Sequence, residues 1–401
     1  MGIKDRGFAK AKVTKKQEAA VKGGHPWIYE DEITETEGDI TNGMVVDVFG
    51  VKDNYLGSGL YSEQSRIRIR LLGNNPNESY DDAYFARKVQ HAVQYRRDVM
   101  SEDDFLCCRM VHGEADGLPG LTVDRYGSIL VAEAASYGID LRREVIYEAL
   151  KESIGGIEGI YERNEGDLRL KEGLDQYKGW YGLQHPEKTN VQIVENGLIF
   201  DVDFENGQKT GYFLDQKYNR AVVGRLARGR RVLDCCTHTG SFALNAAANG
   251  AASVTAMDIS ETALAEARRN AELNGLQVTF RQGDVFEELR RLKAEHQTFD
   301  LIILDPQAFT KSRRTIAYAR NGYRNINAMA LSLLPRGGYL ATNSCSHFMS
   351  TQLFTEMLRD ASHDVSCSLR IVESCSASPD HPVLIDVPET SYLKFFLVQK
   401  V

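Results

Sequence analysis

The chain has 401 residues, which predicts two or three domains of ordinary size. Charged residues make up 26%, hydrophobic residues 42%, and the formal net charge is −8, a composition that excludes long disorder and fibrous repeats. No apolar run reaches the roughly 18 residues needed to cross a bilayer, so we expect a cytoplasmic protein without a membrane span. Seven cysteines without C-x-x-C spacing predict reduced thiols and no metal site.

The first part of the chain reads as short strands. Alternating and glycine-containing runs at 44–49, 55–61 and 65–72 predict a small β-barrel over residues 1–75. A turn-rich stretch at 73–77 marks its end, and helical periodicity follows at 82–99. Further strand and helix patterns predict a central α+β domain over residues 76–189.

Beyond residue 190 strands and helices alternate, which predicts an α/β doubly wound, Rossmann-like sheet over residues 190–401. In chain order the patterns are a strand at 231–234, a helix at 241–249, a strand at 253–258, a helix at 260–274, and strands at 278–280, 299–305, 338–342 and 392–401. Ligands of such sheets bind beyond the carboxyl ends of the strands.

Four aspartates lie at or just after these strand ends. Asp234, Asp258 and Asp305 each finish a strand, and Asp284 follows the strand at 278–280. Carboxylates lining one crevice are costly together unless a ligand uses them. Asp258 comes at the end of the second strand, where a carboxylate can accept hydrogen bonds from both hydroxyls of a ribose.

The turn after the first strand narrows the choice of nucleotide. It carries a single glycine, Gly240, and the chain has neither G-x-G-x-x-G nor G-x-x-x-x-G-K-[ST], which disfavours NAD, FAD and ATP. One glycine in an acidic turn suits a nucleoside with a positively charged amino-acid tail, S-adenosylmethionine (SAM).

On these motifs the C-terminal part resembles the class I SAM-dependent methyltransferases. The segments 206–216, 24–29, 114–126, 380–383 and 392–394 further resemble the large-subunit rRNA methyltransferase I family, cytosine-5 methyltransferases of 23S rRNA with an N-terminal PUA domain. The resemblance covers almost the whole chain. It implies SAM as cofactor and 23S rRNA as partner, bound before the subunit is fully assembled. A homodimer stays open.

The resemblance also implies a set of cofactor-binding residues. They are Phe213, Gln216, Asp234, Thr239, Gly240, Asp258, Asp284 and Asp305.

Cytosine-5 chemistry needs a cysteine thiolate that adds to carbon 6, because carbon 5 is a poor nucleophile by itself. Cys345 follows the strand at 338–342 and matches the family's Ser-Cys-Ser motif, so we predict it as nucleophile, with a small buried residue as the alternative. Asp305 is predicted to hold the cytosine edge. The base that removes the carbon 5 proton stays unassigned.

The substrate loop departs from the family in one position. The family commonly has Asp-Pro-Pro-x-Phe, whereas Gln307 replaces the second proline here and leaves loop geometry and base selectivity open. Pro306 and Phe309 are retained. Phe309 is predicted either to stack on a flipped base or to pack in the core.

Basic residues concentrate in three places. Residues 1–22 have a local balance of +5, residues 311–324 hold five basic residues and no acid, and Arg66, Arg68 and Arg70 alternate along a strand. We hypothesise that these segments form one track for RNA phosphates. The predicted RNA contacts are Lys311, Arg313, Arg314, Arg66 and Arg68, with Pro306 and Phe309 at the base.

The sequence therefore predicts a SAM-dependent rRNA cytosine-5 methyltransferase that works through a cysteine adduct. Two alternatives remain: a methyltransferase acting on a base nitrogen without covalent catalysis, and a SAM-binding assembly factor that holds rRNA.

Overall fold

The computed structural model describes residues 6–310 and 312–401, and the chain divides into two compact units. The first unit takes the chain up to Val191 together with Val202–Leu214 and Pro379–Thr390. The second takes Gln192–Asp201, Asp215–Ser378 and Ser391–Val401. The division at 1–75, 76–189 and 190–401 stays a prediction, but two stretches beyond residue 190 fold with the first unit.

The first unit begins with a six-stranded sheet in the order β2-β6-β5-β4-β1-β3. Its elements are β1 (Ala9–Val13), α1 (Lys15–Lys22), β2 (Trp27–Tyr29), β3 (Ile33–Glu37), β4 (Val45–Phe49), β5 (Tyr55–Tyr61) and β6 (Ile67–Gly73). Alternate apolar side chains such as Val46, Val48 and Ile69 fill its interior.

A second sheet of five strands follows in the order β11-β10-β9-β8-β7. Its elements are α2 (Asp82–Val99), α3 (Glu102–Phe105), β7 (Cys107–His112), β8 (Leu121–Tyr126), β9 (Ile129–Ala134), α4 (Tyr137–Asp140), α5 (Arg143–Ile154), β10 (Gly159–Asn164), α6 (Asp167–Lys171) and β11 (Tyr177–Trp180). Val45 and Leu60 of the first sheet share one apolar core with Phe85 of α2 and Ile146 of α5. This shared core explains why both sheets belong to one compact unit.

A two-stranded sheet of β12 (Asn190–Glu195) and β13 (Leu198–Asp203) precedes a seven-stranded sheet in the order β16-β15-β14-β17-β18-β20-β19. The elements are α7 (Lys217–Ala227), β14 (Arg231–Cys235), α8 (Ser241–Ala248), β15 (Ser253–Asp258), α9 (Glu261–Leu273), β16 (Thr279–Gln282), α10 (Val285–Ala294), β17 (Leu301–Leu304), α11 (Ile316–Ser332), β18 (Tyr339–Ser344), α12 (Thr351–Asp364), β19 (Leu369–Cys375) and β20 (Lys394–Lys400).

Strands β14 to β18 are parallel, and β20 enters antiparallel to β18. Successive residues of β17 face opposite cores: Leu301 and Ile303 pack on one side, Ile302 and Leu304 on the other. A strand buried on both faces reads as a continuous apolar run, which is why the sequence predicts it well. The doubly wound, Rossmann-like prediction is confirmed.

Within the described residues, no helix combines the length and apolar character needed to cross a membrane.

Candidate active site

The turn between β14 and α8 is built around Asp234. Its Oδ2 accepts hydrogen bonds from the Thr237 hydroxyl, at 2.5 Å, and from the main-chain N–H of Ala243, at 3.0 Å. Cys236 and His238 adopt φ values of 61° and 52°, in the left-handed region that non-glycine residues rarely occupy. Strained backbone of this kind persists where the surroundings hold it, and it concentrates at functional sites.

Gly240 completes this turn with a φ of 85° at the start of α8. A side-chain Cβ at this position would also approach the Cβ of Ala267 to 3.0 Å. The single glycine is therefore required both by the backbone conformation and by the close packing of α9.

The four strand-end aspartates converge, as the sequence predicts. Burial raises the pKa of the Cys236 thiol, and the carboxylates of Asp258, Asp305, Asp234 and Asp284 raise it further. One thiol therefore lies within electrostatic reach of all four. The second unit therefore has an acidic crevice at the carboxyl edge of its sheet.

Asp258 and Asp284 also organise the backbone around them. Asp258 accepts hydrogen bonds from the main-chain N–H of His238 at 2.9 Å and of Ser260 at 3.0 Å. Asp284 caps α10 by accepting from Phe286 at 2.9 Å and Glu287 at 3.1 Å. Both side chains are half-buried, so each keeps an aspect turned toward solvent.

Asp305 lies directly after β17, and other charged and polar groups act on it. Burial raises its pKa to about 7, Asp215 adds to the rise, and Arg220 and Gln216 oppose it. Gln216, predicted as a site residue, donates from Nε2 to Asp305 Oδ1 at 3.2 Å. The amide is oriented in turn because Asn219 donates to its Oε1 at 2.6 Å.

Cys345 lies just after β18, the strand that pairs in parallel with β17. Its side chain is exposed, whereas the flanking Ser344 and Ser346 are buried. Ser344 donates to the Tyr323 hydroxyl at 3.0 Å, and Ser346 donates to the Thr310 carbonyl at 3.0 Å. The two serines thus anchor the loop and leave the thiol accessible.

The electrostatic surroundings of Cys345 keep it protonated in this state. Although the residue is exposed, protein atoms packed around it partly desolvate the thiol and raise its pKa to about 11, and Asp305 and Asp215 act in the same direction. Lys394 lowers it. Because the thiolate is the nucleophilic form, the site needs a cation or a change of charge to activate this thiol.

Three contributors were missed by the sequence reasoning. Asp215, next to the predicted Gln216, accepts a hydrogen bond from the Tyr392 hydroxyl at 2.7 Å. Lys394, two residues after Tyr392, begins β20. This strand pairs with β18 and so places a segment distant in sequence beside it. The only signal for Tyr392 and Lys394 was the family resemblance of segment 392–394.

The crevice fits a cationic nucleoside cofactor. Burial raises the pKa of Asp234 to about 7, and Asp305 and Asp258 contribute, so a positive charge would stabilise the ionised carboxylates. Among the described residues, Asp234 Oδ1 and Thr239 Oγ1 are buried polar atoms without a hydrogen-bond partner. Both suit the ammonium or hydroxyl donors of such a molecule. The same described part of the chain has no cluster of three metal-ligating side chains.

Phe309 of the substrate loop packs against neighbouring aromatics. Its ring centroid lies 4.5 Å from that of Tyr323 and 6.4 Å from that of Phe286. Of the two predicted alternatives for Phe309, these ring contacts favour packing in the core. Pro306 is buried and Gln307 is exposed, so the position that departs from the family faces solvent.

The predicted arginine face of the barrel needs correction. Arg68 is buried and forms an ion pair with Glu30 at 2.5 Å, and Arg70 pairs with Glu172 at 2.7 Å. Their charges are therefore already compensated inside the first unit, so the prediction that Arg68 contacts RNA phosphates is wrong. Arg66 alone of the three is exposed.

The other basic segments are also partly neutralised. In α11, Arg320 pairs with Asp360 and Arg324 with Asp364, both at 2.5 Å. In the N-terminal segment the pairs are Arg6–Asp47, Lys10–Glu37, Lys12–Asp53, Lys16–Glu32 and Lys22–Glu18. These acids, all but Glu18 lying outside the basic segments, cancel most of the predicted track.

Arg313 and Arg314 remain exposed and form no ion pair among the described residues. Lys311 lies outside the described residues. Phe213 belongs to the first unit, and its contact with a cofactor stays a prediction.

Comparisons with known proteins agree with this architecture. The S-adenosylmethionine-dependent methyltransferase family profile matches residues 175–399, and the PUA-like domain profile matches residues 11–74. A structure from Streptococcus mutans assigned as a SAM-dependent methyltransferase superposes with a TM-score of 0.82 at 22% identity, covering 98% of this chain and 100% of that one. A second similar structure, with a TM-score of 0.83 and 22% identity over 98% of this chain and 100% of that one, contains SAH.

Curated relatives are more similar in sequence. Ribosomal RNA large subunit methyltransferase I from Pseudoalteromonas atlantica is 40% identical over 373 residues, 92% of this chain and 94% of that protein. The protein of the same name from Shewanella amazonensis is 39% identical over 383 residues, covering 94% and 96%. The chain is therefore a SAM-dependent methyltransferase with an N-terminal PUA-like domain, and it belongs to the ribosomal RNA large subunit methyltransferase I family.

Proposed function

We propose that this protein methylates carbon 5 of a cytosine in large-subunit rRNA, with Cys345 as the covalent nucleophile. The observation that carries the proposal is the exposed position of Cys345 after β18, beside the strand end that presents Asp305. The names of the curated relatives support rRNA as the substrate class. We further propose that it acts in the cytoplasm before the subunit is complete, because a base must leave its stack to reach such a crevice.

The covalent step follows from the chemistry of the base. The Cys345 thiol first loses its proton to solvent. A bond then forms between Sγ and carbon 6 of cytosine, the electron pair of the 5,6 double bond shifts into the bond between carbons 4 and 5, and the carbon 4–N3 pair moves onto N3, which takes a proton. SAM, when bound, supplies the methyl group to carbon 5. Loss of the carbon 5 proton then restores the double bond, and the carbon 6–sulfur bond breaks to release the thiolate.

Asp305 is proposed to hold the cytosine edge. Its pKa of about 7 means that near neutral pH a fraction of the carboxyl is protonated and can donate to the ring nitrogen. Donation at this nitrogen withdraws electrons from carbon 6 and stabilises the adduct. The carboxylate form accepts instead from the exocyclic amino group.

The cofactor contacts are proposed from the acidic crevice. We assign the ribose hydroxyls to Asp258, the adenine side to Asp284, and the amino-acid tail to the turn with Asp234, Thr239 and Gly240. RNA phosphates are assigned to Arg313, Arg314 and Arg66, which are exposed. Phe213 and a homodimer stay predictions.

The Asp258→Asn variant is expected to bind SAM about 10- to 100-fold more weakly. A hydrogen bond to a charged group contributes roughly 1.5–3 kcal/mol, and the amide loses one acceptor and the charge. Isothermal titration calorimetry with SAM measures the change. Asp300→Asn is the matched control, because Asp300 accepts from Arg231 N–H at 2.8 Å at the opposite end of the strands. Equal weakening in both variants would contradict the assignment.

Trapping tests the proposed function. Incubation with SAM and a 23S rRNA transcript containing 5-fluorocytidine is expected to give an adduct that survives SDS, because fluorine at carbon 5 cannot leave as a proton does. Cys345→Ala should give no adduct, whereas Cys367→Ala should retain it, since Cys367 follows α12, away from the β18 strand end.

The identity of the product separates the alternatives. Mass spectrometry of nucleosides from the unmodified transcript is expected to give 5-methylcytidine. A methyl group on a base nitrogen with no adduct would favour the nitrogen enzyme. SAM binding without methyl incorporation, and unchanged rRNA methylation in a deletion strain, would favour the assembly factor.

A further inference from the structure

Lys394 is a buried ammonium with an unusual set of partners. Its exposed fraction is 5%, and Nζ donates to the main-chain carbonyls of Ser346 and Tyr392, the latter at 2.6 Å. Among the described residues it forms no ion pair with a carboxylate, and Cys345 is the one charged or titratable group that favours its protonated form. Burying a cation without an anionic partner costs folding free energy, which indicates a functional role for Lys394.

The sheet explains how Lys394 reaches this place. In the antiparallel pair of β18 and β20, Lys394 is the register partner of Ser344, the residue before Cys345. Nζ then holds the carbonyl of Ser346, the residue after Cys345. The lysine therefore spans the loop that presents the thiol.

We propose that Lys394 is a positioning residue for the nucleophile: its ammonium fixes the Cys345 loop and supplies the positive charge that stabilises the Cys345 thiolate. The inference rests on the proposed function, since it concerns the same thiol. It assigns the cation that favours the thiolate at this site, and it makes the reactivity of Cys345 depend on pH through a second group.

Charged and titratable groups face this thiol from several elements. Asp305 after β17 and Asp215 before α7 oppose ionisation of Cys345, and Lys394 of β20 favours it. Tyr323 of α11 is also coupled to Cys345, and burial raises the pKa of this phenol to about 12, so it stays neutral. Lys394 is the cation of this set, and burial lowers its own pKa to about 8.

The test is the rate at which iodoacetamide alkylates Cys345, followed by mass spectrometry of the peptide that contains it. In this reaction the thiolate forms a sulfur–carbon bond and iodide leaves, so the rate reports the thiolate fraction. At pH 7 Lys394→Met is expected to react up to about tenfold more slowly than the wild type, equivalent to one pKa unit. Lys394→Arg should retain most of the rate.

The pH profile separates charge from packing. As pH rises through about 8 the wild-type lysine loses its proton, so its advantage over Lys394→Met should shrink toward one. Lys394→Arg stays charged and should keep its advantage across this range. A lysine that only packs the loop would give a ratio independent of pH.

Lys400 offers a matched control on the same strand. Its Nζ also donates to two carbonyls, Leu331 and Leu334, both at 2.8 Å, and it is coupled to Cys367. Lys400→Met should leave the alkylation of Cys345 unchanged. Folding of every variant is checked by thermal unfolding, and Lys394→Gln replaces Lys394→Met if the latter unfolds.

Two results would overturn the inference: equal rates for the wild type and folded Lys394→Met at pH 7, or a Lys394→Arg variant as slow as Lys394→Met. Neither result depends on RNA. Failure of the proposed function is recognised separately, as a wild-type protein that alkylates normally but forms no adduct with 5-fluorocytidine RNA.

Discussion

The Cys345→Ala variant is expected to methylate rRNA on the order of 10⁴-fold more slowly than the wild type, or worse, while it binds SAM with unchanged affinity. Removal of a covalent nucleophile leaves only binding and positioning, and losses of this size are usual for such residues. The side chain is exposed at the end of β18, so its truncation leaves no internal cavity. Single-turnover kinetics with radiolabelled SAM, and calorimetry for cofactor binding, measure the two effects.

The matched control is Cys367→Ala, which removes another partly accessible thiol of the same unit. It should retain wild-type kinetics. If Cys345→Ala kept more than about a tenth of the wild-type rate, covalent catalysis would be wrong, and the base-nitrogen alternative would take its place.

The site could be predicted from sequence where it depends on strand ends. Asp234, Asp258 and Asp305 finish apolar runs, and parallel strands place their carboxyl ends at one edge, so convergence follows from topology alone. Strand β15 was predicted at Ser253–Asp258, as observed, and α2 at 82–99 likewise. Both have clear periodicity and clear end signals.

The charge pattern could not be predicted because it depends on pairs remote in sequence. Arg70 meets Glu172 across 102 positions, and Arg324 meets Asp364 across 40. Local counting treats such arginines as free for RNA, whereas folding brings a compensating acid to each. The net charge of −8 contains these acids, and their positions are set only by the fold.

Lys394 was overlooked for a related reason. The residues next to Lys394 in sequence look like those at the start of any strand. Its role depends on the antiparallel register of β20 against β18, which sequence neighbours do not reveal. Helix α1 was missed because it buries only Gln17 and therefore carries no apolar stripe. Strand β19 was missed because it lies at the sheet edge and is largely exposed.

The Arg220→Met variant is expected to lose about 3–5 kcal/mol of unfolding free energy in the second unit. Arg220 Nη1 contacts both carboxylate oxygens of Glu195, at 2.7 and 2.9 Å, and both side chains are at most 2% exposed. Removal of Arg220 takes two charge-assisted hydrogen bonds from the buried Glu195 carboxylate, which costs more than the pair contributes. Urea unfolding followed by circular dichroism measures the loss. Tryptophan fluorescence is not used, because both tryptophans, Trp27 and Trp180, lie in the first unit.

The double variant Arg220→Met with Glu195→Leu is the matched control, because it removes both charges together. It should recover most of the lost stability, since well-packed apolar replacements of buried pairs are often neutral. The pH dependence of its activity should nevertheless change, because Arg220 is also the cation that opposes the raised pKa of Asp305. Without it that pKa should rise above about 7, and the pH profile of methylation should move to higher pH. A stable double variant with an unchanged profile would limit Arg220 to a structural role.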